Sequence, residues 1–587
     1  MMETLGSPIP EDSTHAVSVS LPTWKANVGY EKGEEWVVSK LMTGYPRFFV
    51  HLSIRKLAQS IVQQHGQPGE DALLVPTLAV AKRCGDFISQ TSGSATVRVI
   101  EFVHQQSKAS SKAPSTDIWS DLCAVFYPKD LHEHAKAYWQ HTGEGVSSRR
   151  AEFCQHQFDE GILVPKKSLG EPQIGSKGVM KGPRRYQRCS IDATPKRAHQ
   201  TPSYMNFEDE YSVFVEERFG RNLDATFVQS AKLAIRKRIS GSLKANVCLE
   251  DALKFTDDSG VRVKGLNPDD VYLFPCGMAA IFNTHRMLLS ALGPKKSVAF
   301  GFPYVDTLKC LEKWGPGCYF YGHGSEEELD TLEKLLEDGE KIQGLFCEFP
   351  SNPLLKTPNL VRIRALADKY EFAVVVDETI GNFININVLP YADVVVSSLT
   401  KVFSGASNVM GGCAILNTQR RYYKQLKDFM AQDFEDNYWA EDAIFLERNS
   451  RDFVSRIEKM VVNAEAVCNL LQSHPKVKAI YYPKFSPTKE NYDACRCTNG
   501  GYGALFSATF YTVEDAALFF DALNIAKGPS LGTNFSLCSP YTLLAHYTEL
   551  DWAASYGVDT ALIRVSVGLE EKGHLVEVFQ CALDAMK

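Results

Sequence analysis

Two residues, a lysine and an aspartate, carry the most specific chemistry in this chain. Lys401 follows the apolar run Ala392-Asp393-Val394-Val395-Val396-Ser397-Ser398-Leu399-Thr400 and precedes the small-residue loop Ser404-Gly405-Ala406-Ser407. A second apolar run, Phe372-Ala373-Val374-Val375-Val376, ends in Asp377. An amine and a carboxylate at the ends of adjacent strands can hold a pyridine aldehyde from two sides. The lysine condenses with the aldehyde and the aspartate pairs with the ring nitrogen. An isolated Ser-x-Thr-Lys is usually a solvated lysine after a buried strand, so the weight rests on its surroundings.

Four further features suit a phosphorylated aldehyde. Gly277, in Cys276-Gly277-Met278, opens a helical pattern, where bare backbone N–H groups and the helix dipole favour a phosphate. Ser398 and Thr400 set two hydroxyls just before Lys401, suited to the same phosphate. Tyr304 follows a strand in Phe302-Pro303-Tyr304-Val305-Asp306, where its ring can stack on a cofactor or simply pack in the core. Arg564 is a charge inside the strand-like run Leu562-Ile563-Arg564-Val565-Ser566. Arginine in such a place is paired with an acidic side chain or binds an anion, and a substrate carboxylate is the natural candidate.

Elements that position these residues are legible in the pattern. From about 225 to 415 helical segments alternate with short β-branched runs. Examples are helix 279–292, strand 297–302, helix 306–314, a short strand around Tyr319, helix 326–341, strand 344–348, helix 360–370 and the strands ending at Asp377 and Ser397. This alternation predicts an α/β fold with a mostly parallel sheet covered on both faces, and ligands on such sheets bind where strands end. From about 430 onward a long helical region, 441–474, precedes strand candidates 477–482, 504–511 and 561–567, which predicts a smaller α/β domain and a cleft between the two. Residues 1–165 hold enough aromatic mass for a core, including Trp24, Phe48, Phe49, Trp119 and Trp139, and a helix over 130–140. They show no catalytic constellation. Residues 166–201 place Lys and Arg among Gly, Pro and Ser, which reads as a basic linker.

In family order, the segments Cys276-Gly277-Met278-Ala279-Ala280-Ile281, Glu348-Phe349-Pro350-Ser351-Asn352-Pro353, Val375-Val376-Asp377-Glu378-Thr379, Ser398-Leu399-Thr400-Lys401, Val409-Met410-Gly411-Gly412, Ser530-Leu531-Gly532 and Ile563 to Glu570 span about two-thirds of the chain. Together they resemble the transsulfuration enzymes of Cys/Met metabolism, which depend on pyridoxal 5'-phosphate (PLP), and most of all their fungal cystathionine γ-synthase-like branch. The resemblance implies the aspartate-aminotransferase-like, fold type I architecture with an added N-terminal extension. It implies catalytic roles for Lys401, Tyr304 and Asp377, and cofactor contacts from Gly277, Met278, Tyr304, Asp377, Ser398 and Thr400. Arg564, Asn352 and Ser530 would hold the substrate, and no metal is implied. A Tyr-x-Arg-x-Gly segment in the family reaches a neighbouring subunit's cofactor. The match here is Glu216-Glu217-Arg218-Phe219-Gly220, with Arg218 kept and Glu216 in place of the tyrosine. Phe535 stands where a glutamate is common and would make that pocket wall apolar.

The implied organisation is an extension over 1–165, the linker 166–201, a subunit-contacting arm over 202–224, a large PLP-binding domain over 225–430 and a small domain over 431–587. The implied assembly is a homodimer or homotetramer. The implied reaction is γ-replacement on an O-acyl-L-homoserine, with cysteine as nucleophile giving L-cystathionine. Sulfide or a carbon or nitrogen nucleophile, a γ-lyase reaction and a catalytically silent regulatory homologue are the alternatives. A net charge of −7 over 587 residues gives no reason to expect nucleic acid or an anionic membrane as partner. No apolar stretch approaches the length of a membrane span, and residues 1–20 lack the pattern of a secretory signal. The 15 cysteines read as mostly free thiols in a reducing compartment. The expected location is cytoplasmic, or nuclear if the basic linker serves as an address.

Overall fold

The computed structural model describes residues 4–11, 13–93, 96–105, 121–168, 225–255 and 260–586. The linker past Ser168 and the arm with Glu216 and Arg218 lie outside the described residues.

The central sheet has seven strands: β5 (Val271–Phe274), β6 (Ser297–Phe300), β7 (Cys318–Tyr321), β8 (Gly344–Glu348), β9 (Ala373–Asp377), β10 (Val394–Ser398) and β11 (Gly412–Leu416). Their order is β5-β11-β10-β9-β8-β6-β7. All pairs from β10 through β7 are parallel, and β11 runs against both its neighbours. The sheet is therefore mostly parallel. β9 shows why its sequence is a continuous apolar run. Val374 and Val376 enter one core with Ile363, Leu366 and Phe372, while Ala373 and Val375 enter a second with Ala280, Leu288 and Leu308. A strand covered by helices on both sides has no face left for polar residues. The chain turns polar where β8, β9 and β10 end, at Glu348, Asp377 and Ser398.

The small domain is a five-stranded sheet in the order β12-β13-β16-β15-β14, formed by Val477–Tyr481, Leu505–Phe510, Ala526–Lys527, Leu537–Ser539 and Leu562–Ser566 for β12 to β16. On β16, Ile563 and Val565 enter the small-domain core with Phe506, Phe519 and Phe579. Strand alternation therefore turns Arg564 to the opposite face, toward the large domain. The single helical region expected over 441–474 is two helices, Ala440–Asn449 and Phe453–Gln472. The break is held by Arg456, whose guanidinium donates to the carbonyls of Asn449, Val402 and Phe403 and ties both helices to the loop after Lys401.

The N-terminal region has two parts. Residues 52–168 build a four-stranded antiparallel sheet, order β1-β3-β2-β4, from Glu70–Val75, Arg98–His104, Leu122–Pro128 and Leu163–Pro165. On β3, Leu122, Ala124 and Phe126 face one core, and Cys123, Val125 and Tyr127 face the other. Phe87 of this unit stacks on Trp314 of the large domain at 4.7 Å. The helix expected over 130–140 is His132–Thr142, after a short turn. Residues 4–50 instead run across the other two domains. The Val17 N–H donates to the Ser407 carbonyl at 2.8 Å, and the Leu21 N–H to the Lys527 carbonyl at 2.9 Å. Val19, Leu21, Val37, Leu41 and Phe49 pack with Leu544. Among the described residues no cysteine forms a disulfide, and no helix is long and apolar enough to cross a membrane.

One buried ion pair fixes the residue after Asp377. Arg262 donates through both terminal nitrogens to Glu378, which has no exposed surface. Removing one partner of such a pair strands the other in low dielectric. Arg262→Ala should therefore lower stability by about 3–5 kcal/mol, read as a loss of melting temperature. An unchanged melting curve would show that Glu378 has another way to be satisfied.

Candidate active site

Three parallel strands deliver Glu348, Asp377 and Ser398 side by side. Glu348 lies opposite Asp377 in the β8–β9 register, and Val396 of β10 lies opposite Asp377 on its other side. Lys401 sits in the turn after β10, 6% exposed, and its Nζ donates to Ser530 Oγ and to Tyr45 Oη, each at 3.2 Å. Gly532 makes room for this turn. It has φ +70°, and a Cβ there would lie 2.6 Å from the Val402 nitrogen and 2.9 Å from Lys401 Cβ. Gly277 begins the helix Gly277–Leu292 against Ser398, where a Cβ would come within 2.8 Å of Ser398 Cβ. The bare N–H groups of the helix thus abut the Ser398 side chain.

These groups line one cleft of about 180 Å³, walled by the large domain, the small domain and both parts of the N-terminal region. Gly277, Met278, Tyr304, Asn352, Asp377, Ser398, Thr400, Lys401 and Arg564 all reach it. Ser530 joins them through Lys401 and through its carbonyl, which accepts from Arg564 at 2.9 Å. The Thr400 hydroxyl is already engaged, accepting from the Gly411 N–H at 3.1 Å and donating back to its carbonyl at 3.3 Å. It shapes the loop more than it offers a free donor. Phe535 corrects an expectation: it is absent from the residues lining the cleft. Its backbone passes close to Gly568, where a Cβ would lie 2.4 Å from the Phe535 carbonyl carbon.

Burial decides the electrostatics. Asp377 accepts the Thr379 N–H at 2.8 Å, yet desolvation pushes its carboxyl up to about 6. Glu348 is pushed up to about 8 by burial and then by the charge of Asp377, against the lowering effect of the Tyr304 and Asn352 N–H groups at 2.6 and 2.9 Å. Two neighbouring carboxyls in low dielectric resist double ionisation. Neither has an ion-pair partner among the described residues. Arg564 is buried likewise. Its guanidinium donates to Asn352 Oδ1 at 3.3 Å and to the carbonyls of Pro529 and Ser530 at 2.9 Å, and lies 4.8 Å from the Tyr541 ring. Burial lowers its affinity for a proton, and no Asp or Glu pairs with it among the described residues. The ion pair within its own domain that the sequence left open is thus not seen there. The guanidinium points its charge at the cleft with neutral acceptors only.

Several contributors escaped sequence reasoning. Glu348 lies in a quoted segment but was assigned no role, although it fixes the backbone of both Tyr304 and Asn352. Thr379 aligns Asp377 and, through Oγ1, holds the Ser398 N–H at 2.7 Å. Tyr45 and Arg47 come from the region read as lacking chemistry. The available signal was Gly44-Tyr45-Pro46-Arg47-Phe48-Phe49, an arginine among aromatics beside a proline-fixed bend.

The donor set fits a phosphorylated pyridine aldehyde. It supplies a primary amine, a buried carboxylate with no cation beside it, and a Cβ-free helix N-terminus next to a hydroxyl. Residues 265–584 match the family of Cys/Met metabolism PLP-dependent enzymes, and residues 53–147 match the N-terminal domain of fungal trans-sulfuration enzymes. The chain belongs to the Cys/Met metabolism family. Within it, the chain falls in the fungal cystathionine γ-synthase-like branch. A cystathionine gamma-synthase of Neurospora crassa is 51% identical over 609 residues, covering 99% of this chain and 98% of that one. A cystathionine gamma-synthase-like enzyme of Amanita muscaria, iboG2, is 41% identical over 632 residues, covering 99% and 96%. Among solved structures, a cystathionine gamma synthase of Xanthomonas oryzae pv. oryzae superposes with a TM-score of 0.48 at 21% identity, covering 61% of this chain and 98% of that one. The fold is the type I PLP-dependent transferase fold of this family, with its central mostly parallel sheet and smaller C-terminal domain.

The carboxyl pair makes a pH prediction for the cofactor-free protein. Both folded-state values are raised, so the folded chain binds more protons than the unfolded one, and stability falls with rising pH. The contribution is present below pH of about 4 and is lost as pH passes about 6 for Asp377 and about 8 for Glu348. Melting temperature should decline across this window, and Asp377→Asn should flatten the decline. An equal decline in the variant would show that other groups govern it.

Proposed function

We propose that this enzyme performs γ-replacement on an O-acyl-L-homoserine, with cysteine as nucleophile, giving L-cystathionine. The buried Arg564 carries the reading of an amino-acid substrate. A guanidinium shut from water without a counter-ion calls for an anion, and its planar fork matches a carboxylate in two hydrogen bonds. The γ-replacement and the choice of cysteine draw support from the relatives of the same branch, which match over nearly the whole chain.

PLP, when bound, supplies an electron sink that acidifies the α-proton of the attached substrate. The helix opening at Gly277 and the Ser398 hydroxyl would hold its phosphate, Asp377 its ring nitrogen, Tyr304 the ring face and Lys401 its aldehyde carbon. Arg564 and Asn352 then fix the α-carboxylate and so set which substituent of Cα faces Lys401. The free Lys401 Nζ would take the Cα proton as general base. With Cα activated, a Cβ proton would be lost and its electrons would expel the acyl group from Cγ as a carboxylate. The cysteine thiol would lose its proton as its sulfur bonds Cγ, protons would return to Cβ and Cα, and the product would leave. Asp377 stays ionised beside a cationic ring nitrogen, because that charge reverses the burial penalty it suffers alone.

Product analysis tests the reaction. O-acyl-homoserine incubated with the full chain and equal cysteine and sulfide should yield mainly L-cystathionine by mass spectrometry. Mainly the sulfide product, or equal ketoacid and ammonia release without any nucleophile, would overturn the assignment. The carboxylate role is tested separately. Arg564→Lys should keep its melting temperature but raise KM for the amino acid, with kcat/KM reduced by about 2–4 kcal/mol. A lower melting temperature with an unchanged KM would make Arg564 structural.

A further inference from the structure

The N-terminal segment reaches the reacting amine itself. Tyr45 Oη accepts from Lys401 Nζ at 3.2 Å, across 356 positions of sequence, and Nζ lies 4.4 Å from the centre of the Tyr45 ring. The other acceptor is Ser530 Oγ, also at 3.2 Å. A neutral amine has two N–H bonds and one lone pair. With one N–H on each hydroxyl, the lone pair is left with a single direction.

The segment is built to hold this position. The Tyr45 carbonyl accepts from the N–H groups of Phe48 and Phe49 at 2.9 and 3.1 Å, closing a tight turn around Pro46. Arg47 pairs through Nε with Asp306 Oδ2 at 2.8 Å, and Asp306 also takes His141 Nδ1 at 3.0 Å. Asp306 is 1% exposed, so this clamp joins the large domain to both parts of the N-terminal region in a dry environment. The Arg47 guanidinium lies 5.2 Å from the Tyr304 ring and 4.8 Å from the Phe48 ring. Burial opposes its charge most, but the Asp306 carboxylate together with the phenols of Tyr304, Tyr541 and Tyr45 outweighs it and holds Arg47 firmly protonated. The titratable groups facing the Tyr45 phenol are Lys401, Arg47, Arg564, Tyr304 and Tyr541. No carboxylate competes for Lys401 among the described residues.

We propose that Tyr45 is a catalytic residue, supplied by the N-terminal extension, that orients the Lys401 amine by accepting one of its N–H bonds so that the lone pair meets Cα. Arg47 and Asp306 are positioning residues for that phenol. No bond is made or broken at Tyr45. The inference rests on the reading of Lys401 as the base but on no particular nucleophile or leaving group.

The test uses Tyr45→Phe in the full chain, which keeps the ring and removes Oη. In the holoenzyme, exchange of the substrate Cα proton with deuterated water is followed by NMR without added nucleophile. The variant should load PLP and melt like the wild type, keep KM, and exchange at least about 10-fold more slowly, less than the loss of a general base itself because Lys401 remains. In the cofactor-free full chain, acetylation of Lys401 at one fixed pH is followed by peptide mass. Its rate should change from that of the wild type, because the hydroxyl that engages one of the amine's N–H bonds is gone. Unchanged exchange together with an unchanged labelling rate would overturn the proposal. If Tyr45→Phe misfolds, difluorotyrosine at position 45 keeps the shape and weakens the acceptor. Both readouts should then move in the same directions by smaller amounts, and no movement overturns the proposal. If the wild type exchanges no Cα proton, the proposed reaction fails, while the labelling result still decides the Tyr45 contact.

Discussion

Burying charge without its counter-charge is the constraint on which this structure turns. Arg564 is buried and Asp377 half-buried at the end of its strand, both in one cleft, and neither meets an opposite charge among the described residues. Lys401 shares the cleft with only hydroxyl acceptors. Each such group costs folding free energy unless a ligand offsets it. The cost is met by the surrounding mass of apolar burial on both faces of the central sheet, and on the proposed reading it would be recovered by a cationic ring nitrogen at Asp377 and a substrate carboxylate at Arg564.

The fold spreads this constraint over its whole length. Parallel strands place Glu348, Asp377 and Ser398 side by side because the apolar runs of β8, β9 and β10 end there. Alternation on β16 turns Arg564 away from the small-domain core and toward them. The N-terminal region closes the remaining side through Tyr45, Arg47 and the buried Asp306. The cleft is therefore an assembly of three regions rather than a groove between two.

Residues whose placement at the cleft follows from local pattern were legible in the sequence. Asp377 and Lys401 stand out because a charge ends an uninterrupted β-branched run, and Arg564 because a charge interrupts one. Gly277 was legible as a helix opening. Tyr45 was not, since its significance lies in a contact that no periodicity encodes and that spans most of the chain. Phe535 was misread because a position taken from a family pattern says nothing of which way the side chain leaves the backbone. The break at Ser450–Asp452 was missed because it depends on Arg456 binding carbonyls from a distant loop, not on a proline or glycine.

The central claim is that Lys401, and no other lysine, bears the cofactor. Borohydride reduction of the PLP-loaded full chain, followed by peptide mass mapping, measures this directly. The pyridoxyl mass should appear on the peptide containing Lys401, at about one group per chain. A pyridoxyl group on a different lysine, with Lys401 unmodified, would contradict the account.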